Sequence, residues 1–193
     1  LCKKEFDYHR ENQTPHPIMI KNNINAVPYQ HKDIEKWQDA LSRGIDYVHP
    51  ELNLKLAGGI DDVWLNTQTD EVIVADYKSQ QSNKEVSQDT YFLSPYKEGY
   101  KKQLDFYAYL LAQMGFKVSK DSYLYICNAI NQGKGFNGEM IFEEILIHYE
   151  IDVSYIESEI DNMIKVLNSE TAPQSNGSCE NCAYSRERAN FNL

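Results

Sequence analysis

The chain has 193 residues, 41% hydrophobic and 25% charged, with a formal net charge of −10. That length can bury one core of its own, and no apolar run approaches the roughly 18 residues that a membrane span needs. No secretory leader pattern opens the chain, so a cytoplasmic protein is expected, and contact with nucleic acid would need a local basic groove on an acidic molecule.

Residues 1–11 read as the end of a helix. Leu1, not Met, stands inside that pattern, so a preceding segment is expected. Residues 12–30 hold Pro15, Pro17 and Pro28 among several Asn and read as loop. His31 to Arg43 has a helical period on Ile34, Trp37 and Leu41, with Gly44 as its stop. Strands are expected over 45–57, bent at Pro50, then over 60–66, and then over 71–77 after the polar turn 67–70. The run Val72-Ile-Val-Ala75 is continuously apolar, as a central strand covered on both faces would be. Residues 79–95 read as a long polar loop. Tyr96 to Met114 is the strongest helix, with Leu104, Tyr107, Ala108 and Leu111 on one face. Strands over 122–130 and 139–148 flank a Gly-rich loop at 133–138, and 152–167 is an amphipathic helix. From 169 the chain reads as a Ser-, Asn- and Gly-rich tail. The order helix, three strands, helix, two strands, helix implies a single α/β domain over 1–193 with one mixed sheet.

Two acids interrupt the strand pattern at Ile60-Asp61-Asp62-Val63. Acids are poor strand formers, and adjacent residues point to opposite faces. One can be solvated; the other needs a partner or a metal. Asp76 and Lys78 are two apart and share a face. Folding 60–66 against 71–78 around the turn brings Asp61 across from position 76. Two carboxylates and an ammonium then converge at one end of a hairpin. Mg²⁺ or Mn²⁺ takes such oxygen ligands, and a bound cation lowers the pKa of water and offsets phosphoryl charge. A neighbouring lysine can orient that water, stabilise the transition state or act as a base. The plainer alternative is a strand-end salt bridge. On the following helix, Gln103 and Tyr107 form an i,i+4 pair able to bind phosphate or orient water.

Gly58-Gly-Ile-Asp61, Asp76-Tyr-Lys78 and Gln103-Leu-Asp-Phe-Tyr107 together resemble, in order and spacing, the successive motifs of the PD-(D/E)XK nuclease superfamily. They resemble its RecB-type branch, which includes the CRISPR-adaptation exonucleases. The resemblance implies a restriction-endonuclease-like core, a central mixed β-sheet flanked by helices. It implies metal binding by Asp61, Asp76 and the main-chain carbonyl of Tyr77, with Lys78 as the catalytic lysine and Gln103 and Tyr107 as an accessory motif. The substrate would be DNA, as single strands or duplex ends, cleaved by an exonuclease-like enzyme of repair, recombination or defence. A nuclease fold kept as an inactive binding or structural module is the alternative. The His or Glu that the family places on an early helix has Glu5, His31 and Glu35 as candidates here. Asp62 adds a ligand or faces solvent.

Four cysteines are present. Cys127 reads as a buried small hydrophobe. Cys179-Glu-Asn-Cys182 is half of a four-ligand metal site. The RecB-type branch often joins such a pair to further cysteines around an iron–sulfur cluster. Arg186 and Arg188 occupy the region of its later cysteine. An iron–sulfur cluster or Zn²⁺ would then need ligands from a preceding segment, with Cys2 a weak candidate; two free thiols are the alternative. Between 77 and 101, residues such as Tyr77, Lys84, Tyr91, Phe92, Tyr96, Lys97, Tyr100 and Lys101 are suited to stacking bases and tracking phosphates.

Overall fold

The computed structural model describes residues 2–131 and 138–190. Residues 133–137 of the expected Gly-rich loop lie outside that description. Two compact units are present, Leu1–Val153 and Ser154–Leu193.

The first unit is built on a five-stranded mixed sheet in the order β1-β4-β5-β6-β7. Its strands are β1 (Ala26–Pro28), β4 (Asp62–Asn66), β5 (Val72–Gln81), β6 (Asp121–Ile130) and β7 (Ile141–Glu150). β5 is antiparallel to β4 and parallel to β6. The parallel pairing demands a long crossover, which carries α4 (Gln88–Tyr91), a 3-10 turn at Pro95–Lys97 and α5 (Glu98–Gln113). A separate hairpin, β2 (Ile45–His49) with β3 (Leu54–Gly58), precedes β4. This is the α/β architecture, a central mixed sheet flanked by helices, that the motif order predicts.

Both faces of β5 are covered, which explains its apolar run. On one face, Phe6 of α1 (Cys2–Asn12) joins Ile18 and Met19 of α2 (Pro17–Lys21) in a cluster with Trp64, Ile73 and Tyr125. On the other lies α5, whose Leu104, Ala108 and Leu111 are buried.

Several elements differ from the sequence reading. Residues 12–30 are not all loop: Pro17 takes the N1 position of α2, where its missing N–H costs nothing, and His16 Nδ1 accepts from Ile18 N at 3.2 Å. Pro28 is tolerated in β1 because β1 is an edge strand. The helix expected over 31–43 is only α3 (Ile34–Gln38), and Leu41, expected on its inner face, is 99% exposed. β5 runs on to Gln81, four residues past the expected end, because β6 pairs with it through Ala129.

In the second unit, α6 (Ile156–Leu167) starts four residues later than expected, and the tail contains a helix, α7 (Glu180–Ala189). Cys179 caps α7, its Sγ accepting from Cys182 N at 3.2 Å.

Candidate active site

The site forms where β4 departs from β5. Asp62 is the first residue of β4 and pairs with Ala75; Asp61 lies one residue beyond the end of that ladder. Past Ala75, β5 keeps β6 on one side and is released by β4 on the other. Asp76, Lys78 and Gln80 share one face of the released stretch.

The segment leading to Asp61 is fixed by close approach. Tyr107 O–H donates to Gly59 O at 2.6 Å, Ile60 N to Trp37 O at 3.1 Å, and Gln38 Nε2 to Asp61 O at 2.9 Å. A Cβ on Gly59 would stand 2.1 Å from Ala40 Cβ, and one on Gly58 would stand 2.8 Å from Tyr107 Cε1. The two glycines are there because a neighbouring residue and an aromatic ring leave no room for a side chain.

The two acids divide as alternation requires, though Asp62 neither faces solvent nor adds a ligand. It is 0% exposed and accepts from Arg10 at 2.7 Å, from Val63 N at 2.8 Å, from Trp64 Nε1 at 3.3 Å and from the Tyr77 hydroxyl. Burial together with Asp62 holds the Tyr77 hydroxyl well above its usual pKa, so it stays a donor. Asp61 is the half-open acid. Its Oδ2 accepts from Tyr77 N at 3.0 Å, and its Oδ1 lies 3.3 Å from Lys3 Nζ on α1.

Asp76 is buried beside Asp61 and forms an ion pair with Lys78. Both its carboxylate oxygens are shut off from solvent, and neither accepts a well-formed hydrogen bond among the described residues. Burial, opposed by Lys78 and reinforced by Asp61, pushes its pKa up to about 6. Lys78 Nζ also donates to Gln103 Oε1 at 3.1 Å, and Gln103 Nε2 donates to Tyr107 OH at 2.9 Å. A single relay thus runs from Asp76 through Lys78, Gln103 and Tyr107 to the carbonyl of Gly59. All five residues singled out by the motifs are brought together.

A sequence model of the PD-(D/E)XK nuclease superfamily matches residues 10–186. The chain belongs to that superfamily. Neither a curated protein nor a solved structure matches it. PD-(D/E)XK proteins are in general nucleases acting on nucleic acid, and usually use Mg²⁺ or Mn²⁺. The donor set fits such a hard cation: two neighbouring carboxylates, one of them buried and held only by its ion pair with Lys78, are the oxygen ligands Mg²⁺ takes beside water and phosphate.

The expected early-helix ligand does not emerge from its three candidates. Glu5 lies 3.3 Å from His16, the His31 ring stacks on Trp37 with centroids 4.4 Å apart, and Glu35 is exposed. The group that α1 brings to Asp61 is Lys3, and the buried cation it supplies is Arg10. Neither carries a local signal, because their partners are distant in sequence.

Among the described residues, no group of three or more His, Cys, Asp or Glu could hold a metal ion. Cys179 and Cys182 have their sulfurs 2.6 Å apart. Hydrogen bonding with the Cys182 thiol and main-chain N–H lowers the Cys179 pKa. Cys2 lies 3.2 Å from Cys127, sulfur to sulfur, and Cys127 is buried as expected.

Most of the aromatic residues expected to stack bases are otherwise engaged. Tyr77 bonds Asp62 and Tyr91 is buried, while Lys78 lies over the Tyr100 ring and Lys101 over that of Phe92. Tyr96, 92% exposed, has an open ring. No helix among the described residues is long and apolar enough to cross a membrane.

Proposed function

We propose that the chain is a divalent-metal-dependent nuclease of the RecB-type branch, hydrolysing DNA phosphodiester bonds at single strands or duplex ends. The observation that carries this reading is the buried Asp76–Lys78 pair beside Asp61, with Asp76 left short of hydrogen bonds. Asp61, Asp76 and the carbonyl of Tyr77 would hold Mg²⁺ or Mn²⁺, which supplies Lewis acidity and charge neutralisation at the phosphoryl group.

The chain's own residues do the rest. Lys78 spends one N–H on Gln103 and shares its charge with Asp76, which leaves it able to donate to a phosphoryl oxygen as negative charge develops there. Gln103 and Tyr107 are positioning residues: they hold the ammonium against one side of the site and tie it to the Gly59 turn. The Tyr77 main-chain N–H fixes one oxygen of Asp61, and so the direction of the other, which a bound cation would take over from Lys3.

An exonuclease role in DNA repair, recombination or defence is supported by the branch motifs Gly58-Gly-Ile-Asp61, Asp76-Tyr-Lys78 and Gln103 to Tyr107. Cys179 and Cys182 would contribute two thiolates to an iron–sulfur cluster or Zn²⁺, the remaining ligands coming from elsewhere. Iron and zinc analysis of full-length protein tests that part; absence of both metals would leave a thiol pair only.

The test of the enzyme reading is incubation of end-labelled single-stranded DNA, duplex DNA and RNA with Mn²⁺. Cleavage of DNA by the wild type and not by Asp76→Ala is expected. Equal silence of both with full-length protein would overturn the reading.

A further inference from the structure

Beyond the motif residues, the face that carries Asp76 and Lys78 continues to Gln80, and there a second ammonium enters. Lys97, at the end of the 3-10 turn, donates from Nζ to Gln80 Oε1 at 3.2 Å and to Tyr91 OH at 3.2 Å. It lies 4.6 Å from the centroid of the Tyr91 ring and 4.9 Å from that of Tyr100. Lys78 lies over the same Tyr100 ring at 4.6 Å.

Two ammoniums thus share one aromatic ring, and only one of them has a carboxylate. Lys78 is paired with Asp76, whereas no carboxylate lies within ion-pair distance of Lys97 among the described residues. A lysine that serves only to pack leaves its charge in water. Lys97 is instead half-buried among neutral acceptors and ring faces, and burial and the nearby Lys78 charge both lower its pKa. Cation–π contact offsets part of that cost. A further anion would offset the rest, and both ammoniums keep donors for it.

We propose that Lys97, with Gln80 and the Tyr91–Tyr100 ring pair, forms a phosphate subsite that grips a non-scissile phosphate of the bound strand next to the one at Asp76 and Lys78. It rests on the nuclease reading above and adds a substrate contact outside the three motifs. The tyrosines serve here as ring faces for lysines rather than as platforms for bases. The grip is therefore on the backbone and independent of base sequence.

Binding of a fluorescein-labelled oligodeoxythymidine in Ca²⁺ across a salt series tests the subsite, with urea midpoints as a folding control. Lys97→Gln is expected to weaken binding about tenfold and to reduce the slope of log affinity against log salt by about 0.7, one phosphate's share for a single strand. Lys97→Arg should keep the slope. A Lys97→Gln slope equal to wild type overturns the subsite, even if affinity falls, because loss of packing would not change the number of counterions released. If that result comes with intact cleavage, the nuclease reading stands and only the subsite is lost. A wild type that binds no strand overturns the subsite, and one that also cleaves neither single-stranded nor duplex DNA overturns both.

Discussion

Gln103 accepts from Lys78 through its carbonyl at 3.1 Å and donates to Tyr107 through its amide at 2.9 Å. Both ends of the side chain are committed, so its orientation is set and Lys78 is aimed by it. Gln103→Leu, which keeps bulk and removes both bonds, should lower the cleavage rate about 10- to 100-fold, the scale of a misplaced catalytic group. Mn²⁺ affinity should be unaffected, since Gln103 is not a ligand. Single-turnover rates beside a Mn²⁺ titration check this; equal loss of metal binding would mean that Gln103 acts through the fold instead.

The buried Arg10–Asp62 pair is predicted to matter for stability rather than chemistry. Removing one partner of such a pair strands a charge, and Arg10→Met should cost about 3–5 kcal/mol in urea denaturation. Replacing both partners, as Arg10→Met with Asp62→Leu, should cost less than the sum of the two single substitutions, though Asp62→Leu also leaves Val63 N, Trp64 Nε1 and the Tyr77 hydroxyl without their acceptor. A double variant as unstable as the sum of its parts would contradict this account.

Gly59→Ala should destabilise by about 1–3 kcal/mol, because its Cβ would fall 2.1 Å from Ala40 Cβ. The cost should reach the site too, since Gly59 O holds Tyr107 and Asp61 is two residues on. A second substitution, Ala40→Gly, should restore little of the loss in thermal melting or cleavage, because the Ala40 Cα would still stand 2.5 Å from the new Cβ; full rescue would contradict this.

Metal affinity should follow the protonation of Asp76. Its folded pKa, about 6, lies above the 3.8 of an ordinary Asp, so the metal-free protein keeps a proton there that the cation must displace. Mn²⁺ affinity is therefore predicted to rise with pH up to about 6 and to level off above it. The thermal stabilisation given by Mn²⁺ should grow over the same window. Calorimetric titrations at pH 5, 6, 7 and 8 check the sign; affinity that falls with rising pH would contradict it.

What was legible in the sequence follows from where each residue finds its partner. Val72 to Ala75 announced a central strand because burial on both faces writes itself as an uninterrupted apolar run. Asp61, Asp76 and Lys78 could be brought together because one short turn joins their strands. Gln103 and Tyr107 could be placed on one helix face by spacing alone, but not in their relay, which needs α5 docked on β5. Asp62 was illegible: its burial is decided by Arg10, 52 residues earlier on α1. Leu41 misled because helical period says nothing of where the chain turns away, and α3 ends at Gln38. The proline-rich stretch hid α2 and β1 because Pro17 and Pro28 occupy the two kinds of position, a helix start and an edge strand, that admit proline inside an element.

Under the proposed function, Asp76 would hold the cation and Lys78 would act on the phosphoryl group. Paired Mn²⁺ binding and single-turnover cleavage of end-labelled DNA by the wild type, Asp76→Ala and Lys78→Ala separate these two roles. Asp76→Ala should lose both, and Lys78→Ala should keep Mn²⁺ while cleaving at least about 100-fold more slowly. Cleavage by Lys78→Ala at the wild-type rate, or Mn²⁺ binding undiminished in Asp76→Ala, would contradict the account.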